Sequence, residues 1–448
     1  MYDVVVIGGG PAGERCSAIL AKAGKKVCLI EKGDNHIGGT CLNEGCIPAK
    51  LYLESVSYLG KKSYLQSCGL QMQDVSFDMN LLQDKKDELI AQIRKGATLG
   101  LKRDGVEVKY GFATFVDEDS IKVGDEIITA SHFVIATGSI HRPHPLLEID
   151  KEYIISSDEV FGLKELPKSI LIVGGGAIGC EFATFFNNLG SSVDVAEFTP
   201  TLVPAEDKDI ADTLKRELTR KGIRVLLNTS VMDFAKSEDE IIIKMQTQNG
   251  ETQESYDLVL VSIGRMPNTY NLNLKKADIK SQNSYIEVDE NLKTTNPKVY
   301  ALGDVVPTPA LAHVAYNEAK VVANNILNDD KIKPSKIIPF VTFCQPQVAS
   351  VGVNEKTLSE QGVEYEVIKS FFKSNAKAKI KGDDGGFIKL ICQKDSGVII
   401  GGAMIGNETT ELIHELVIAI NAKLTKEDLK DMIFAHPTLS ESLWSMLQ

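Results

Sequence analysis

The first apolar run in the chain, Asp3-Val-Val-Val-Ile7, is short, β-branched and stopped abruptly by glycine. Such a run, bounded by a turn signal, predicts a buried strand. Gly8-Gly-Gly10-Pro-Ala-Gly13 follows, then a helix-compatible stretch, then a second apolar run, Lys26-Val-Cys-Leu-Ile-Glu31, that ends on an acid. The same succession returns in mid-chain. Ser169-Ile-Leu-Ile-Val173 reads as strand, Gly174-Gly-Gly176-Ala-Ile-Gly179 as turn, and Ser192-Val-Asp-Val-Ala-Glu197 as the second strand with its acid. Gly13 to Glu31 and Gly179 to Glu197 are both 18 residues apart. The pattern predicts an α/β chain holding two Rossmann-like βαβ units.

Each glycine has a separate task in that reading. Gly8 and Gly174 allow the tight turn, Gly10 and Gly176 let backbone approach a pyrophosphate, and Gly13 and Gly179 let helix and strand pack closely. The helix N-terminus then faces phosphates, and Glu31 or Glu197 accepts hydrogen bonds from a ribose diol. A glycine loop alone can be no more than a tight turn; strand, helix and acid in place, twice, argue for two dinucleotide sites. At the second site a carboxylate favours a free 2′-hydroxyl, and residues 197–204 carry no basic side chain to meet a 2′-phosphate. NAD is therefore expected over NADP.

Composition narrows the setting. With 448 residues, 43% of them hydrophobic, the chain has material for two to four domains at roughly 100–200 residues each. A net charge of −12 argues against nucleic acid and against an anionic membrane surface as partner. No apolar run reaches the ~18 residues of a membrane span. Met1 leads straight into a strand, so no leader is expected. Among eight cysteines only Cys41 and Cys46 are close in sequence. Cys16, Cys28, Cys68, Cys180, Cys344 and Cys392 are expected to be buried free thiols, which suits a reducing cytoplasm and no membrane association.

Cys41 and Cys46 lie in Gly38-Gly-Thr-Cys-Leu-Asn-Glu-Gly-Cys-Ile-Pro-Ala-Lys50, a few residues past the first nucleotide unit. Two thiols beside a bound redox cofactor suggest a disulfide made and broken in turnover. Residues at i and i+5 sit too far round an ideal helix for a relaxed bridge, so the helix should be distorted near Cys41. A helix N-terminus at this point would stabilise a thiolate.

With these motifs in hand, the chain resembles the pyridine-nucleotide disulfide oxidoreductases, and within them the dihydrolipoamide dehydrogenases. Val134-Ile-Ala-Thr-Gly-Ser139 and Val261-Ser-Ile-Gly-Arg-Met-Pro-Asn268 resemble the family's domain-crossing motifs, and Val299-Tyr-Ala-Leu-Gly-Asp-Val305 its second flavin motif, with Leu311-Ala-His-Val just after. Ile338-Pro-Phe resembles the entry to its interface domain, and Ala435-His-Pro-Thr-Leu-Ser-Glu441 its C-terminal motif. The resemblance implies a glutathione-reductase-like fold: an FAD-binding domain over 1–145 and 270–335, an NAD-binding domain over 146–269, and an α+β dimerisation domain over 336–448. It also implies FAD on Gly8, Gly10, Gly13 and Glu31, with Asp304 at its ribityl chain, and further cofactor contacts from Thr137, Gly138, Gly264, Arg265 and Ala312. NAD would take the second loop, Gly174, Gly176 and Gly179 with Glu197, and Lys50 would pair with Glu181 near the flavin. Cys41 would exchange with substrate and Cys46 would face the flavin. His436 would move the proton, held by Glu441, at the active site of the other subunit of a homodimer, and the His436–Pro437 bond is a cis candidate. No metal is expected. The implied activity is NAD-dependent oxidation of protein-bound dihydrolipoyl groups, as in 2-oxo acid dehydrogenase or glycine-cleavage complexes.

Two positions depart from that pattern. Phe434 stands where a second histidine is common, and Glu44, between the cysteines, replaces an apolar residue and would raise the Cys41 pKa slightly. A glutathione-reductase-like activity is the alternative within the family, disfavoured by Glu197 and by Ile178 where a tyrosine is common. Mercuric and large thioredoxin reductases need a C-terminal thiol pair that the final Leu-Trp-Ser-Met-Leu-Gln lacks, and soluble transhydrogenases usually lack the full disulfide. A non-catalytic FAD/NAD scaffold would have no use for Cys41, Cys46, His436 and Glu441 together. His36, His132, His141, His144 and His414 read as surface or structural, and His313 as structural near the flavin.

Overall fold

The computed structural model describes residues 1–71, 76–328 and 331–448. The chain folds as two compact units. The first gathers Met1–Leu51, Asn80–Arg142 and Gly264–Ser335; the second gathers Tyr52–Met79, Pro143–Ile263 and Lys336–Gln448.

In the first unit the run at the N-terminus is the strand Tyr2–Ile7, with Val4, Val5 and Val6 fully buried. It pairs in parallel with Val27–Glu31 on one side and with Glu126–Ile135 on the other. Glu107–Tyr110 extends the sheet beyond Val27–Glu31, and Val299–Ala301 pairs in parallel with the end of Glu126–Ile135. Strands covered on both faces read as continuous apolar runs rather than alternation, as these do. The start of Glu126–Ile135 continues instead into an antiparallel pair, Ser120–Val123 and Ala113–Phe115. Helix Pro11–Lys22 crosses from the first strand to the second and packs with helix Ala312–Asn328.

The second unit repeats the parallel order. Its sheet runs Arg224–Leu227, Ser192–Glu197, Ser169–Val173, Leu258–Val261 and Ile154–Ser156, all parallel. Helix Ala177–Asn188 makes the crossover. A three-stranded antiparallel sheet, Ser230–Lys236, Ile241–Thr247 and Gly250–Tyr256, lies alongside. Residues after 336 form an antiparallel five-stranded sheet ordered Pro339–Thr342, Gln347–Gly352, Ile399–Gly406, Phe387–Gln393 and Tyr365–Phe371. Helix Thr409–Asn421 packs on it, burying Leu412, Ile413, Leu416 and Ala419. Among the described residues no helix is long and apolar enough to cross a membrane.

Five of the six isolated cysteines are buried as expected. Cys68 is the exception: it follows the short helix Lys62–Ser67 and is exposed, because that helix buries none of its residues.

Candidate active site

The two glycine loops share one geometry at the turn and at the acid. Gly8 and Gly174 hold φ of 107° and 111°, a region that glycine enters freely. A Cβ at Gly13 would lie 1.8 Å from the Gly8 carbonyl oxygen, and one at Gly179 would lie 1.9 Å from that of Gly174. No side chain fits either place. Gly9 N–H donates to Glu31 Oε2 at 2.5 Å and Gly175 N–H to Glu197 Oε2 at 2.5 Å. The second oxygens accept from Lys32 N–H and Thr199 N–H, both at 2.7 Å. Each acid is thus locked to its loop with lone pairs left over, as a carboxylate that also meets a ribose diol requires. The first helical bonds, Glu14 N–H to Gly10 O and Cys180 N–H to Gly176 O, leave the preceding N–H groups of each helix unpaired within it. A helix start of this kind is suited to phosphate.

The thiol segment is seated on the first loop. A Cβ at Gly39 would lie 2.6 Å from Gly10 Cα, so the two backbones touch where neither residue has a side chain. Cys41 lies in the short helix Gly39–Asn43, which breaks at Glu44, and Cys46 begins a new helix, Cys46–Val56. The expected distortion is therefore a break between the cysteines, and it gives Cys46 the helix N-terminus. The Cys41 and Cys46 side chains are hydrogen-bonded to each other. That bond, then burial, pushes the Cys41 thiol well up, with Lys50 pulling the other way. Glu44 is not among these causes. Cys41 is half-buried and Cys46 exposed.

Asn43, between the cysteines, was not singled out by sequence and proves to be the clamp of the segment. Its amide donates to the Gly39, Ile37 and His36 carbonyls at 2.8, 3.2 and 3.4 Å, and its Oδ1 accepts from Arg94 at 2.6 Å. Arg94 comes from the long helix Met79–Arg103, a pairing no local pattern announces.

The domain-crossing residues meet in one network of the first unit. Arg265 donates from Nε to Ser139 Oγ and from an Nη to Ser139 O, each at 2.9 Å, and Ser139 Oγ donates to Asp304 Oδ2 at 2.5 Å. Arg265 and Asp304, both expected at the cofactors, are thus joined through Ser139. Thr137 Oγ donates to Asn268 O at 2.7 Å, and Asn268 N–H donates to Gly138 O at 2.9 Å. Gly264 O accepts from Arg142 N–H at 2.9 Å. Buried Glu318 accepts from Gly303 N–H at 2.6 Å, fixing the backbone beside Asp304. Ala312 opens the helix Ala312–Asn328 that carries Glu318. Ser139 and Glu318 were not singled out by sequence, since their partners come together only in the fold.

In the second unit Glu181 is buried and accepts from Phe343 N–H at 2.9 Å. His436 Nδ1 lies 2.9 Å from Glu441 Oε1, with the ring 73% exposed and the carboxylate 20%. A carboxylate only accepts, so Nδ1 carries the proton here and Nε2 of the neutral ring is the free acceptor. Glu441 Oε2 accepts from Thr438 N–H at 2.8 Å. That bond, followed by His436, holds the Glu441 carboxyl below its ordinary range. The His436–Pro437 bond is cis, as expected. His144 Nδ1 accepts from the N–H of Leu146 and Leu147, both at 3.1 Å, a structural role.

Known proteins resemble the chain over its whole length. The pyridine nucleotide-disulphide oxidoreductase family matches residues 2–319, and the dimerisation domain of the same family matches 338–447. A dihydrolipoyl dehydrogenase of Geobacillus stearothermophilus is 36% identical, covering 98% of this chain and 94% of that protein. One of Bacillus subtilis is 34% identical, covering 99% and 97%. Among solved structures, LpdA of Mycobacterium tuberculosis superposes with a TM-score of 0.92 at 25% identity, covering 100% and 99% of the two chains. The HOCl-induced flavoprotein disulfide reductase RclA of Escherichia coli superposes with a TM-score of 0.90 at 28% identity, covering 100% and 99%.

Proposed function

The chain belongs to the pyridine nucleotide-disulphide oxidoreductase family, and from that premise we propose that it oxidises protein-bound dihydrolipoyl groups to lipoyl with NAD as acceptor. The observation that carries the reading is the hydrogen-bonded pair Cys41 and Cys46, seated through Gly39 against the first nucleotide loop. Relatives named dihydrolipoyl dehydrogenase support the substrate. FAD suits the loop of Gly8, Gly10 and Gly13 with Glu31, and Asp304, Thr137, Gly138 and Ala312 close the same unit. NAD suits Gly174, Gly176, Gly179 and Glu197, with Gly264 and Arg265 at the domain crossing. Lys50 and Glu181 are the remaining cofactor contacts. Bound FAD supplies the two-electron carrier between the thiols and the nicotinamide.

The chain's own residues perform the exchange. A substrate thiolate attacks Cys41 Sγ of the Cys41–Cys46 disulfide and displaces the Cys46 thiolate. The second substrate thiol, giving its proton to His436 Nε2, attacks the substrate sulfur of the mixed disulfide and releases the Cys41 thiolate. Substrate leaves as a cyclic disulfide, two electrons poorer, and the enzyme holds them as a Cys41 thiol, protonated by His436, and a Cys46 thiolate. The start of helix Cys46–Val56 favours the Cys46 thiolate. Glu441 fixes the His436 ring and favours its cation. In a homodimer formed through 336–448, this pair serves the thiols of the second protomer. The domain limits 1–145 with 270–335, 146–269 and 336–448 belong to the same reading. Buried free thiols support a cytoplasmic setting.

The test is reduction of NAD by the purified flavoprotein with dihydrolipoamide as donor, run beside NADP and beside NADPH with oxidised glutathione. Fast NAD reduction, lost in Cys46→Ser, is expected. Inert dihydrolipoamide with an intact flavin and a reducible disulfide would remove the substrate reading and leave the fold and cofactors standing.

A further inference from the structure

The segment Phe371–Lys381 carries Lys373, Lys377, Lys379 and Lys381 within an otherwise acidic chain. It runs from the end of strand Tyr365–Phe371 through the short helix Ala376–Ile380. Lys381 is bonded to Glu408, and Lys61 on a neighbouring turn lies 3.9 Å from Asp383. Lys373, Lys377 and Lys379 make no ion pair among the described residues. Three cations without a carboxylate partner thus stand together on one turn. Phe371 and Ile380, 58% and 59% exposed, add apolar surface at the two ends of the turn.

The turn is tied to the loop of the candidate base. Asn375, itself buried, caps helix Ala376–Ile380 by accepting from Ala378 N–H at 3.0 Å. The same side chain donates to Thr438 O at 3.0 Å and to Ser442 Oγ at 2.9 Å. Thr438 N–H in turn donates to Glu441, which holds His436. One buried amide therefore links the lysine-bearing turn to the loop that presents the imidazole. Tyr64 backs the far end of the turn by donating its hydroxyl to Ile380 O at 2.6 Å. The cations are displayed on a braced support.

We propose that this turn is a docking surface for the acidic face of the protein domain that carries the dithiol, holding that domain beside His436. The proposal rests on the dihydrolipoyl reading and adds to it the chemistry of the carrier. Small, neutral dihydrolipoamide offers the lysines nothing to attract, whereas an acidic domain bearing the same dithiol does. Exposed charge complementarity acts mainly on encounter and is screened by salt.

The experiment compares two donors, free dihydrolipoamide and a dihydrolipoyl group on a lipoylated domain of net negative charge. The enzymes are the wild-type holoenzyme, a charge-reversed Lys373→Glu/Lys377→Glu/Lys379→Glu variant, and the matching triple Arg variant. For the acidic carrier, KM should rise on the order of ten-fold in the Glu variant and be retained in the Arg variant. KM for dihydrolipoamide and kcat for both donors should stay unchanged. Rising ionic strength should raise the wild-type KM for the carrier and lower that of the Glu variant, as salt screens attraction in one and repulsion in the other. Equal KM for the carrier in all three enzymes would overturn the proposal, as would an equal rise for the free donor. A change of oligomeric state in the Glu variant on size-exclusion chromatography would assign the turn to contacts between copies and also overturn it. If neither donor is oxidised, the reaction reading fails by itself. Calorimetric binding of the lipoylated domain, lost in the Glu variant alone, then still decides the surface.

Discussion

Glu441 has two partners that make different demands of it. Thr438 N–H needs an acceptor in a fixed place, and His436 Nδ1–H needs a negative charge behind it when the ring takes a proton. Because both contacts lower the carboxyl's pKa, the group stays ionised at every pH where thiol exchange runs, and protonates only below its ordinary range. Glu441→Gln separates the two demands. The amide oxygen can still accept from Thr438, so the loop should hold, while the charge that favours the imidazolium is gone. Steady-state oxidation of dihydrolipoamide should fall by about 10²-fold, within the range for impaired general acid–base catalysis. Flavin absorbance and melting temperature should match wild type. A melting temperature that drops with the rate would make Glu441 a structural residue instead.

At the scale of elements, the repeated βαβ unit allows one lesion to be made twice with two readouts. Gly13→Ala puts a methyl where the Gly8 carbonyl oxygen stands, and Gly179→Ala does the same at Gly174. Relieving a 1.8 or 1.9 Å approach means prising the helix start from the strand end, which deforms the phosphate-facing turn. Gly13→Ala should purify with little bound flavin. Gly179→Ala should keep its flavin and raise KM for NAD by about ten-fold or more, read by NAD titration at saturating dithiol. These units were legible because every part of them is local: apolar run, glycine spacing and acid all lie within one stretch of chain. The thiol pair and the His436–Glu441 pair, five residues apart in each case, were legible for the same reason. What holds them was not. Arg94 reaches Asn43 across 51 residues, Ser139 reaches Asp304 across 165, and Asn375 reaches Thr438 across 63. Such contacts follow from which strands become neighbours, which periodicity does not specify. Cys68 misled for a related reason, since the burial of a thiol depends on what packs over it.

The second unit joins its parallel-sheet part to its C-terminal part through a charge inside the protein. Lys389, fully buried on strand Phe387–Gln393, places its ammonium 2.7 Å from Asp207, 2.8 Å from Asp209 and 2.6 Å from Glu355. Asp207 also accepts from Glu355 N–H at 3.1 Å and stands at the N-terminus of helix Lys208–Arg220. The oxygens of these three acids lie within 4.8 Å of one another, a spacing that would suit a metal cation, and the ammonium occupies that role here. Burial opposes the lysine's charge, but the bonds from Asp207, Asp209 and Glu355 outweigh it and raise its pKa. Its stabilising contribution is therefore complete below the ordinary lysine value of about 10.4 and is lost only as pH rises through the higher folded value. On the acid side, burial raises the Asp209 pKa, but Lys369 and Lys389 outweigh it and hold the carboxyl low. Its contribution is present above the ordinary carboxylate range and lost as pH falls through the folded value. Lys389→Met fills the space but leaves Asp207 and Glu355 without a cation and Asp209 with Lys369 alone. Removing one partner of a buried ionic cluster costs about 3–5 kcal/mol, more than the pairing contributes relative to an apolar replacement of the whole group. Guanidinium melts should show that loss, nearly constant across neutral and mildly alkaline pH and shrinking as the acids protonate. A loss unchanged down to strongly acidic pH would mean that Lys389 stabilises through its packing and not through its charge.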